Sequence, residues 1–388
     1  MDRLTGSPQT QLARAFAARV SAAHGFAFWK GRVGLYAILR ALRIGPGDEV
    51  ILPGFTCVVV QNPIAYVGAT TVFTDIVRGS YNANAASIER KITPRTRALV
   101  VQHSFGIPSE VEPIVELAKK HRIDVIEDCC LALGSTVAGR PVGTFGRAAY
   151  WSFQWSKTIT SGLGGVVTTS DQELAERIES LMRSELIEPT RALDLRLSLE
   201  RTAHRAMAVP GIVPIATAAY RSATKLGVVT GSSSPEEFDS AMPTGFFRGM
   251  GTRQAGAALR ALSELDLNVA HRRRTSERYS LMLDRAGWPV REFPAGSVLV
   301  RYPIEVEDKA KVVARAARAG IELGTWFESP LHPKETNLAA HGYSAGSCPE
   351  GERVCAQLVN LPTHPRVSDA VAESTVDFVR SCRPANQP

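Results

Sequence analysis

Strands and helices alternate regularly between Asp48 and Ser170, and this order constrains the fold more than any other feature of the sequence. Short apolar runs such as DVIEDC predict strands, and amphipathic segments such as VEPIVELAKKH predict the helices between them. Strands that alternate with helices form a mostly parallel sheet with helices packed on both faces. We therefore predict an α/β fold for this part of the chain.

The rest of the chain is predicted to form further parts. The 388 residues exceed what one ordinary hydrophobic core holds, so we expect more than one domain. The predicted divisions are a helical extension over 1–24, a large domain over 25–262 and a smaller C-terminal α+β domain over 263–388. A long helix is predicted from Thr252 to about Arg273. A strand is predicted from Ser297 to Tyr302.

Residues 186–245 interrupt the large domain as an insert without a clean periodic pattern. Its apolar segment AMAVPGIVPIATAAY is broken by Pro210 and Pro214 and is too short to span a bilayer. A lid or a buried subunit contact is the favoured interpretation. Shallow contact with a membrane surface is the less favoured alternative.

Charge and cysteine content narrow the classes of partner. The formal net charge is +7, and the Lys and Arg residues are scattered rather than gathered in a tail. A solvated basic face or a phosphate-rich small substrate would account for this charge, and we expect no nucleic-acid partner. The six cysteines show no C-x-x-C spacing, so we predict neither a metal site nor disulfides. No signal-peptide pattern is present at the start of the sequence, and we expect a cytoplasmic location.

Ligands of parallel α/β sheets bind beyond the carboxyl ends of the strands, so the residues that end the predicted strands are candidate site residues. Four polar residues occupy such positions, namely Asp75, His103, Asp128 and Ser152. Asp128 follows an apolar run, where a buried carboxylate needs a cationic partner. A helix cap or a structural ion pair is the alternative interpretation of Asp128.

Lys157 lies in the aromatic and hydroxyl-rich segment YWSFQWSKTITSG. A desolvated amine has a lowered pKa and becomes a usable nucleophile, whereas an isolated lysine after a strand is more often a surface residue. Asp128 changes that balance, because pyridoxal phosphate (PLP) enzymes combine a Schiff-base lysine with an acid on the pyridine nitrogen. Ser152 offers a hydroxyl to a phosphate, and Gly31 and Arg32 begin a predicted helix whose free N–H groups attract anions. These residues together predict a PLP site.

The order of these motifs resembles the DegT/DnrJ/EryC1/StrS family of PLP-dependent, fold-type I sugar aminotransferases. The matching stretches are LRALRIGPGDEVILPGFT, GATTVFTD, ITPRTRALVVQHSFGIP, VIEDCCLALGS, GTFGRAAYWSFQWSKTITSGLGG and LVNLPTHPRVSD. The resemblance is strong over residues 30–180 and weaker over 246–380. It implies the PLP-dependent transferase fold of type I, with a large domain built on a mostly parallel central sheet and a smaller C-terminal α+β domain.

The resemblance also implies a role for each matching position. Lys157 is expected to carry the cofactor as a Schiff base and then to move a proton between substrate and cofactor, and Asp128 to pair with the pyridinium nitrogen. Ser152 and the backbone at Gly31 and Arg32 are expected to hold the phosphate. The full set of expected cofactor-binding positions is Gly31, Arg32, Cys57, Asp128, Leu131, Ser152, Gln154 and Lys157. Family members of this kind are usually homodimers with active sites at the subunit interface.

Several positions around the cofactor ring depart from the family pattern. Lys30-Gly31-Arg32 stands where the family has Ser-Gly-Thr. Cys57 occupies the slot of an aromatic residue that stacks on the ring, Leu131 that of a Gln or His, and Leu163 that of a glutamate. The asparagine that commonly reaches the neighbouring subunit's phosphate has no clear counterpart near Phe246. The cofactor anchors are therefore intact, but the changed surroundings of the ring leave the acceptor unidentified.

Three functions are open from the sequence. The leading one is a PLP-dependent aminotransferase that moves an amino group from an amino acid donor, expected to be glutamate, to a keto-sugar expected to be nucleotide-linked, as in polysaccharide or antibiotic biosynthesis. The more apolar ring surroundings also allow another PLP reaction on an amino acid, namely racemisation, decarboxylation or carbon–carbon bond formation. A non-catalytic module that keeps PLP or a sugar nucleotide as an effector is the third, and Lys157 argues against it. No G-x-G-x-x-G follows the first strand, which sets aside a hydride-transferring Rossmann enzyme.

Overall fold

The computed structural model describes residues 6–207 and 233–382. The strands, in chain order, are β1 (His24–Phe28), β2 (Glu49–Pro53), β3 (Thr56–Cys57), β4 (Thr70–Thr74), β5 (Thr96–Gln102), β6 (Asp124–Asp128), β7 (Thr136–Val137), β8 (Arg140–Pro141), β9 (Ala148–Ser152), β10 (Gly165–Thr169), β11 (Arg301–Glu305), β12 (Leu331–His332) and β13 (Leu358–Pro362). The α-helices are α1 (Pro8–Arg19), α2 (Gly31–Ala41), α3 (Val58–Tyr66), α4 (Ala85–Glu89), α5 (Val111–His121), α6 (Gln172–Glu185), α7 (Arg191–Met207), α8 (Thr252–Ser263), α9 (Leu265–Arg285), α10 (Lys309–Ala319), α11 (Pro349–Gln357) and α12 (Asp369–Ser381). Short 3₁₀ helices span Ser104–Gly106, Pro235–Asp239 and Ala339–His341.

The central sheet joins seven strands in the order β1-β10-β9-β6-β5-β2-β4. Neighbouring strands from β9 to β4 are parallel, and β10 is antiparallel to both of its neighbours. Every strand of this sheet except β10 therefore ends at the same edge. The predicted α/β fold with a mostly parallel central sheet is confirmed.

Helices cover both faces of the sheet, which explains why its strands read as continuous apolar runs. Adjacent residues of β2 point to opposite faces. Val50 packs in one apolar cluster with Ile38 of α2, and Ile51 packs in another with Ile114 of α5. The polar residues at the strand ends are consequently the ones that reach the open edge of the sheet.

The C-terminal part forms its own small antiparallel sheet from β11 and β13. Its core includes Tyr279 of α9, Tyr302 of β11 and Val376 of α12. This is the smaller α+β unit that the sequence predicts, although the exact domain divisions remain a prediction. The short strand β12 connects the unit to the large domain by pairing in parallel with β3, where His332 lies opposite Cys57.

Two predicted element boundaries are wrong. The strand predicted over Ser297–Tyr302 begins only at Arg301, because the N–H of Val300 bonds to the carbonyl of Phe105 at 2.9 Å rather than to a neighbouring strand. The single long helix predicted before it is two helices, α8 and α9. They are separated at Glu264, where the backbone leaves helical geometry (φ −98°, ψ 4°).

The predicted insert contains helix α7, which its irregular pattern did not indicate. Most of the apolar segment AMAVPGIVPIATAAY lies outside the described residues, and so do the lid, subunit-contact and membrane interpretations of it. Among the helices that the structure describes, none combines the length and the apolar character needed to cross a membrane.

Candidate active site

A cavity opens at the edge of the sheet where β6 and β9 end. Its empty space, including the open mouth, amounts to about 780 Å3. All eight of the predicted cofactor-binding residues line it, namely Gly31, Arg32, Cys57, Asp128, Leu131, Ser152, Gln154 and Lys157. The structure therefore brings the whole predicted set together, while the role of each residue remains a proposal.

The side chain of Lys157 reaches this cavity from the loop after β9, with Nζ 5.0 Å from the centre of the Trp326 ring. The loop is held locally by a 3.0 Å bond from the Lys157 N–H to the Gln154 carbonyl. Burial lowers the pKa of the ammonium group, and the neighbouring Cys130 and Asp128 only partly oppose this shift. A larger neutral fraction makes the nitrogen available as a nucleophile and as a base.

Asp128 is the last residue of β6 and is only 4% exposed. Its Oδ1 accepts a 2.9 Å hydrogen bond from the N–H of Cys130, which fixes the carboxylate at the strand end. Burial and then the charge of Asp128 raise the pKa of Tyr150, so this phenol stays neutral. A buried carboxylate of this kind favours a cationic group in the same cavity.

Gly31 places the start of α2 directly against the end of β9. A Cβ at this position would lie 2.9 Å from the Trp151 carbonyl oxygen and 3.1 Å from the Cβ of Ser152, so this close approach requires glycine. The first turn of α2 contains no acidic residue, and no side chain caps it. Its first N–H groups and the Ser152 hydroxyl therefore border the same cavity, where an anion would be stabilised.

Arg32 forms a buried ion pair with Glu237, and their side chains are 9% and 2% exposed. Glu237 belongs to the 3₁₀ helix Pro235–Asp239, and its Oε2 also accepts a 2.8 Å bond from the N–H of Ser234. Burial opposes ionisation of Glu237, but Arg32 and Lys30 outweigh it and hold its pKa below the ordinary value. This carboxylate therefore neutralises part of the positive charge that a phosphate in the cavity would use. Sequence reasoning did not find Glu237, because it lies far from Arg32 in the chain and no local pattern marks it.

Replacing Glu237 by glutamine is expected to change cofactor affinity and stability in opposite directions. Affinity for PLP should rise about tenfold, because a like charge near the phosphate is removed. The free energy of unfolding of the cofactor-free protein should fall by about 3 kcal/mol, because Arg32 loses its buried partner. Cofactor titration and urea unfolding measure the two effects. The matched control is Glu236→Gln, since that neighbouring side chain is exposed. Equal cofactor affinity in both variants would contradict this assignment of Glu237.

Lys30 adds a titratable charge beside Arg32 and Glu237. Burial, followed by repulsion from Arg32, lowers the pKa of Lys30 to about 7. The side chain is charged below this pH and neutral above it. We therefore expect the affinity of the cofactor-free protein for sulfate to fall roughly tenfold as the pH rises through the Lys30 pKa. Calorimetry at several pH values measures this step. Lys30→Met should remove it, and pH-independent sulfate binding by the unchanged protein would contradict the assignment.

Sequence reasoning also missed Trp326, Phe327 and His332, which close the cavity from the C-terminal unit. They reach the site through the pairing of β12 with β3, which no local sequence pattern marks. Burial lowers the pKa of His332 to about 4, so its ring is neutral near physiological pH.

Tyr150 of the large domain also lines the cavity and could have been predicted from the sequence. It lies two residues before Ser152 on the same strand, and alternate residues of a strand share a face. Thr56 and Gln102 also line the cavity.

Two of the predicted strand-end candidates have other roles. Asp75 does not line the cavity; its carboxylate accepts bonds of 2.8 and 2.9 Å from the N–H groups of Glu350 and Gly351 at the start of α11. His103 does line the cavity, but its Nε2 lies 3.1 Å from Glu127 Oε2. It is therefore engaged in the interior rather than aimed at a ligand.

His103, Glu127 and Cys129 bring potential metal-binding atoms within 4.8 Å of one another. Glu127 is already occupied, because its carboxylate accepts hydrogen bonds from three backbone N–H groups as well as contacting His103. Those N–H groups belong to Gly143, Phe145 and Gly146. We interpret this cluster as a buried hydrogen-bond network that fixes the end of β6.

The residues of the cavity fit PLP in their chemistry. PLP requires an amine for its aldehyde, an acid for its ring nitrogen and donors for its phosphate. Lys157, Asp128 and the start of α2 supply these three groups in one cavity. Leu131 and Leu163, which are 6% and 3% exposed, make its wall apolar.

The sequence model of the DegT/DnrJ/EryC1/StrS aminotransferase family matches residues 2–380. The UDP-N-acetyl-3-dehydro-α-D-glucosamine 3-aminotransferase of Acidithiobacillus ferrooxidans is 44% identical over 160 residues, which cover 41% of this chain and 43% of that protein. The GDP-perosamine synthase of Caulobacter vibrioides is 40% identical over 178 residues, 46% of this chain and 48% of that protein. The chain thus matches less than half the length of these two curated relatives.

The likeness to a solved structure extends over nearly the whole chain. The aminotransferase TlmJ from Streptoalloteichus hindustanus is 26% identical and superposes with a TM-score of 0.74, over 97% of this chain and 90% of that chain. This likeness confirms the predicted fold of PLP-dependent aminotransferases.

Proposed function

The chain belongs to the DegT/DnrJ/EryC1/StrS family of aminotransferases, and from this premise we propose that it moves an amino group from an amino acid, expected to be glutamate, to a nucleotide-linked keto-sugar. PLP is the proposed cofactor. The observation that carries the proposal is the presence of Lys157, Asp128 and the start of α2 in one cavity. The acceptor class is supported by the names of the two curated relatives, which contain a UDP-linked and a GDP-linked sugar.

When bound, PLP supplies an electron sink for the electron pair released at the amino-bearing carbon. Lys157 Nζ would hold the cofactor covalently and, when free, would move a proton at the reacting carbon. Its lowered pKa suits it to act as the base in that transfer. The Asp128 carboxylate keeps a proton on the ring nitrogen, because an opposite charge in a buried site favours the charged form.

The other residues of the cavity would bind the cofactor phosphate and exclude water. The N–H groups at the start of α2 and the Ser152 hydroxyl would hold the cofactor phosphate. Trp326 and Phe327 of the C-terminal unit lie against the cavity and keep bulk water from Lys157. A dry site strengthens the interaction between Asp128 and the ring nitrogen.

Label transfer tests the proposed function. The protein is incubated with PLP, nitrogen-labelled glutamate and a panel of UDP- and GDP-linked keto-sugars, and the sugar nucleotides are analysed by mass spectrometry. We expect label in an amino-sugar product together with an equal amount of 2-oxoglutarate. Formation of 2-oxoglutarate without labelled sugar would contradict the acceptor class.

We further propose a homodimer with active sites at the subunit interface, located in the cytoplasm. Leu195 and Leu199 are exposed four residues apart on one face of α7, and neighbouring large apolar side chains of this kind can mark a surface that a partner covers. The six cysteines are free thiols, which suits a reducing compartment. Light scattering of the purified protein tests the dimer, and a monomer at micromolar concentration would contradict it.

A further inference from the structure

Arg301 is a half-buried arginine beside the cavity whose guanidinium lies over the ring of Trp326. Arg301 begins β11, and because strand side chains alternate, it points away from the core that Tyr302 occupies. Its Cζ lies 4.8 Å from the centre of the Trp326 ring, which itself lines the cavity. Within the described part of the chain, the Nε of Arg301 is buried and has no hydrogen-bond partner.

A second unpartnered donor lies at the same place. The Oδ1 of Asn360 accepts a 3.0 Å bond from the N–H of Trp326, but its Nδ2 is buried without a partner among the described residues. Gly324 brings the two side chains together, since a Cβ there would lie 2.5 Å from Arg301 Nη1 and 3.1 Å from Asn360 Oδ1. Two side chains that meet near Gly324, each with a buried donor that lacks an acceptor among the described residues, indicate a site for an acceptor from outside the chain.

The charges around Arg301 favour an anion. Arg272 is also buried, and its pKa is lowered to about 9 by burial and then by Arg301. Glu322 interacts with Arg301 only at long range, because its carboxylate is paired with His364 at 3.1 Å. Burial consequently lowers the pKa of Arg301 itself. A buried cation in this state is destabilising unless a negative group joins it.

We propose that Arg301, assisted by Asn360 Nδ2, binds a carboxylate of the amino acid donor. This assignment rests on the proposed function and deepens it. Lys157 Nζ and Arg301 Cζ lie 5.0 and 4.8 Å from the centre of the same Trp326 ring. A donor whose amino-bearing carbon lies at Lys157 can therefore extend along this ring to place its carboxylate at the guanidinium. An arginine suits the task because its planar fork binds a carboxylate through two parallel hydrogen bonds.

Binding of glutarate, a dicarboxylate without an amine, tests the assignment in the cofactor-free protein. Arg301→Gln should weaken glutarate binding roughly tenfold to hundredfold, as measured by calorimetry. Arg301→Lys keeps the positive charge but loses the planar fork of donors. Its glutarate affinity should therefore lie between those of the unchanged protein and Arg301→Gln. The matched control is Arg315→Gln, because Arg315 also lies over an aromatic ring of the C-terminal unit, 5.8 Å from the centre of Phe378, but its guanidinium donates to Ser381 at the end of α12. Unchanged glutarate affinity in Arg301→Gln would overturn the assignment.

The thermal stability of the cofactor-free protein separates a binding role from a structural one. A structural arginine would lower the melting temperature when it is removed. The assignment predicts the reverse for Arg301→Met, because an unpaired buried charge is replaced by an apolar side chain of similar length. A lower melting temperature together with unchanged glutarate affinity would show a purely structural role and overturn the assignment.

Separate experiments with amino acid donors and with sugar-nucleotide acceptors identify which substrate supplies the carboxylate that binds Arg301. In the holoenzyme, Arg301→Gln should raise the dissociation constant for glutamate in the first half-reaction more than it lowers the limiting rate. Alanine as donor shows whether the α-carboxylate is the group that binds, since alanine has no second one. Calorimetry with UDP-glucuronic acid and UDP-glucose tests the acceptor instead. If Arg301→Gln loses affinity only for UDP-glucuronic acid, the site would be reassigned to the acceptor. If no amino acid converts the wild-type cofactor, the proposed function fails; if it is converted equally by the variant, only the role of Arg301 fails.

Discussion

Replacing Lys157 by alanine is expected to abolish amino transfer and covalent attachment of the cofactor. The variant loses both the amine that holds the cofactor and the base that moves the proton, and the second loss alone lowers kcat by roughly 10²–10⁴-fold. Borohydride reduction of the unchanged protein should leave a phosphopyridoxyl group on the peptide that contains Lys157. The variant should show no such adduct by mass spectrometry, although PLP can still bind through its phosphate at the start of α2.

Two controls show whether the effect comes from lost chemistry. Lys334→Ala removes a neighbouring but exposed lysine of the C-terminal unit and should leave the adduct and the rate unchanged. A small added amine such as methylamine should restore part of the activity of Lys157→Ala, because it replaces the missing base. A variant that keeps the reducible adduct and normal turnover would remove Lys157 from the mechanism.

Replacing Asp128 by asparagine is expected to lower kcat by about 150- to 4,000-fold, since the loss of one partner of a buried charge pair corresponds to about 3–5 kcal/mol. The fold should persist, because the asparagine Oδ1 can still accept the bond from the Cys130 N–H that Asp128 accepts at 2.9 Å. The defect therefore reflects the missing negative charge, without which the ring nitrogen loses its proton. Steady-state kinetics at saturating PLP measures it.

The matched control is Asp124→Asn at the other end of the same strand. Asp124 pairs with Arg147 at 3.1 Å, and both side chains are about one third exposed, so this pair contributes little. Its replacement should leave kcat within about twofold of the starting value. Equal losses in the two variants would indicate a general effect of weakening β6 and would contradict the assigned role of Asp128.

The parts of the site that the sequence predicts are those that local rules govern. Asp128 and Ser152 end parallel strands, and the direction of such strands places their last residues at one edge. Gly31 begins a helix at that edge, and its contact with the end of β9 requires a residue without a Cβ. Lys157 follows in the next loop, so the residues of the large domain converge through short connections.

The same rule fails where a distant segment competes for a strand end. Asp75 follows β4 at the equivalent edge, but the N–H groups of Glu350 and Gly351 occupy its carboxylate. Which strand end stays open depends on where the C-terminal unit packs, and that packing involves contacts between residues far apart in the chain. Local periodicity in the sequence carries no information about such contacts.

Residues contributed from far along the chain could not be predicted for the same reason. Trp326 and His332 enter the cavity through the pairing of two-residue strands, β12 and β3, which are too short to leave a pattern. Glu237 reaches Arg32 from a short 3₁₀ helix. Arg301 sits in a segment where even the strand boundary was predicted wrongly. Glu237 pairs with the cofactor anchor Arg32, whereas Trp326 and Arg301 belong to the proposed donor site, which is why the sequence indicates the cofactor better than the substrates.

A single-turnover experiment with glutamate tests the central claim most directly. The PLP-loaded protein is mixed with glutamate in the absence of any acceptor, and the absorbance of the cofactor and the 2-oxoglutarate released are followed together. An aminotransferase should convert its cofactor to the pyridoxamine form and release one equivalent of 2-oxoglutarate per active site, whereas a racemase, decarboxylase or carbon–carbon bond-forming enzyme would leave the cofactor in its aldehyde form at the end. Stoichiometric conversion is the result we predict. An unconverted cofactor with glutamate and with every other amino acid donor would contradict it.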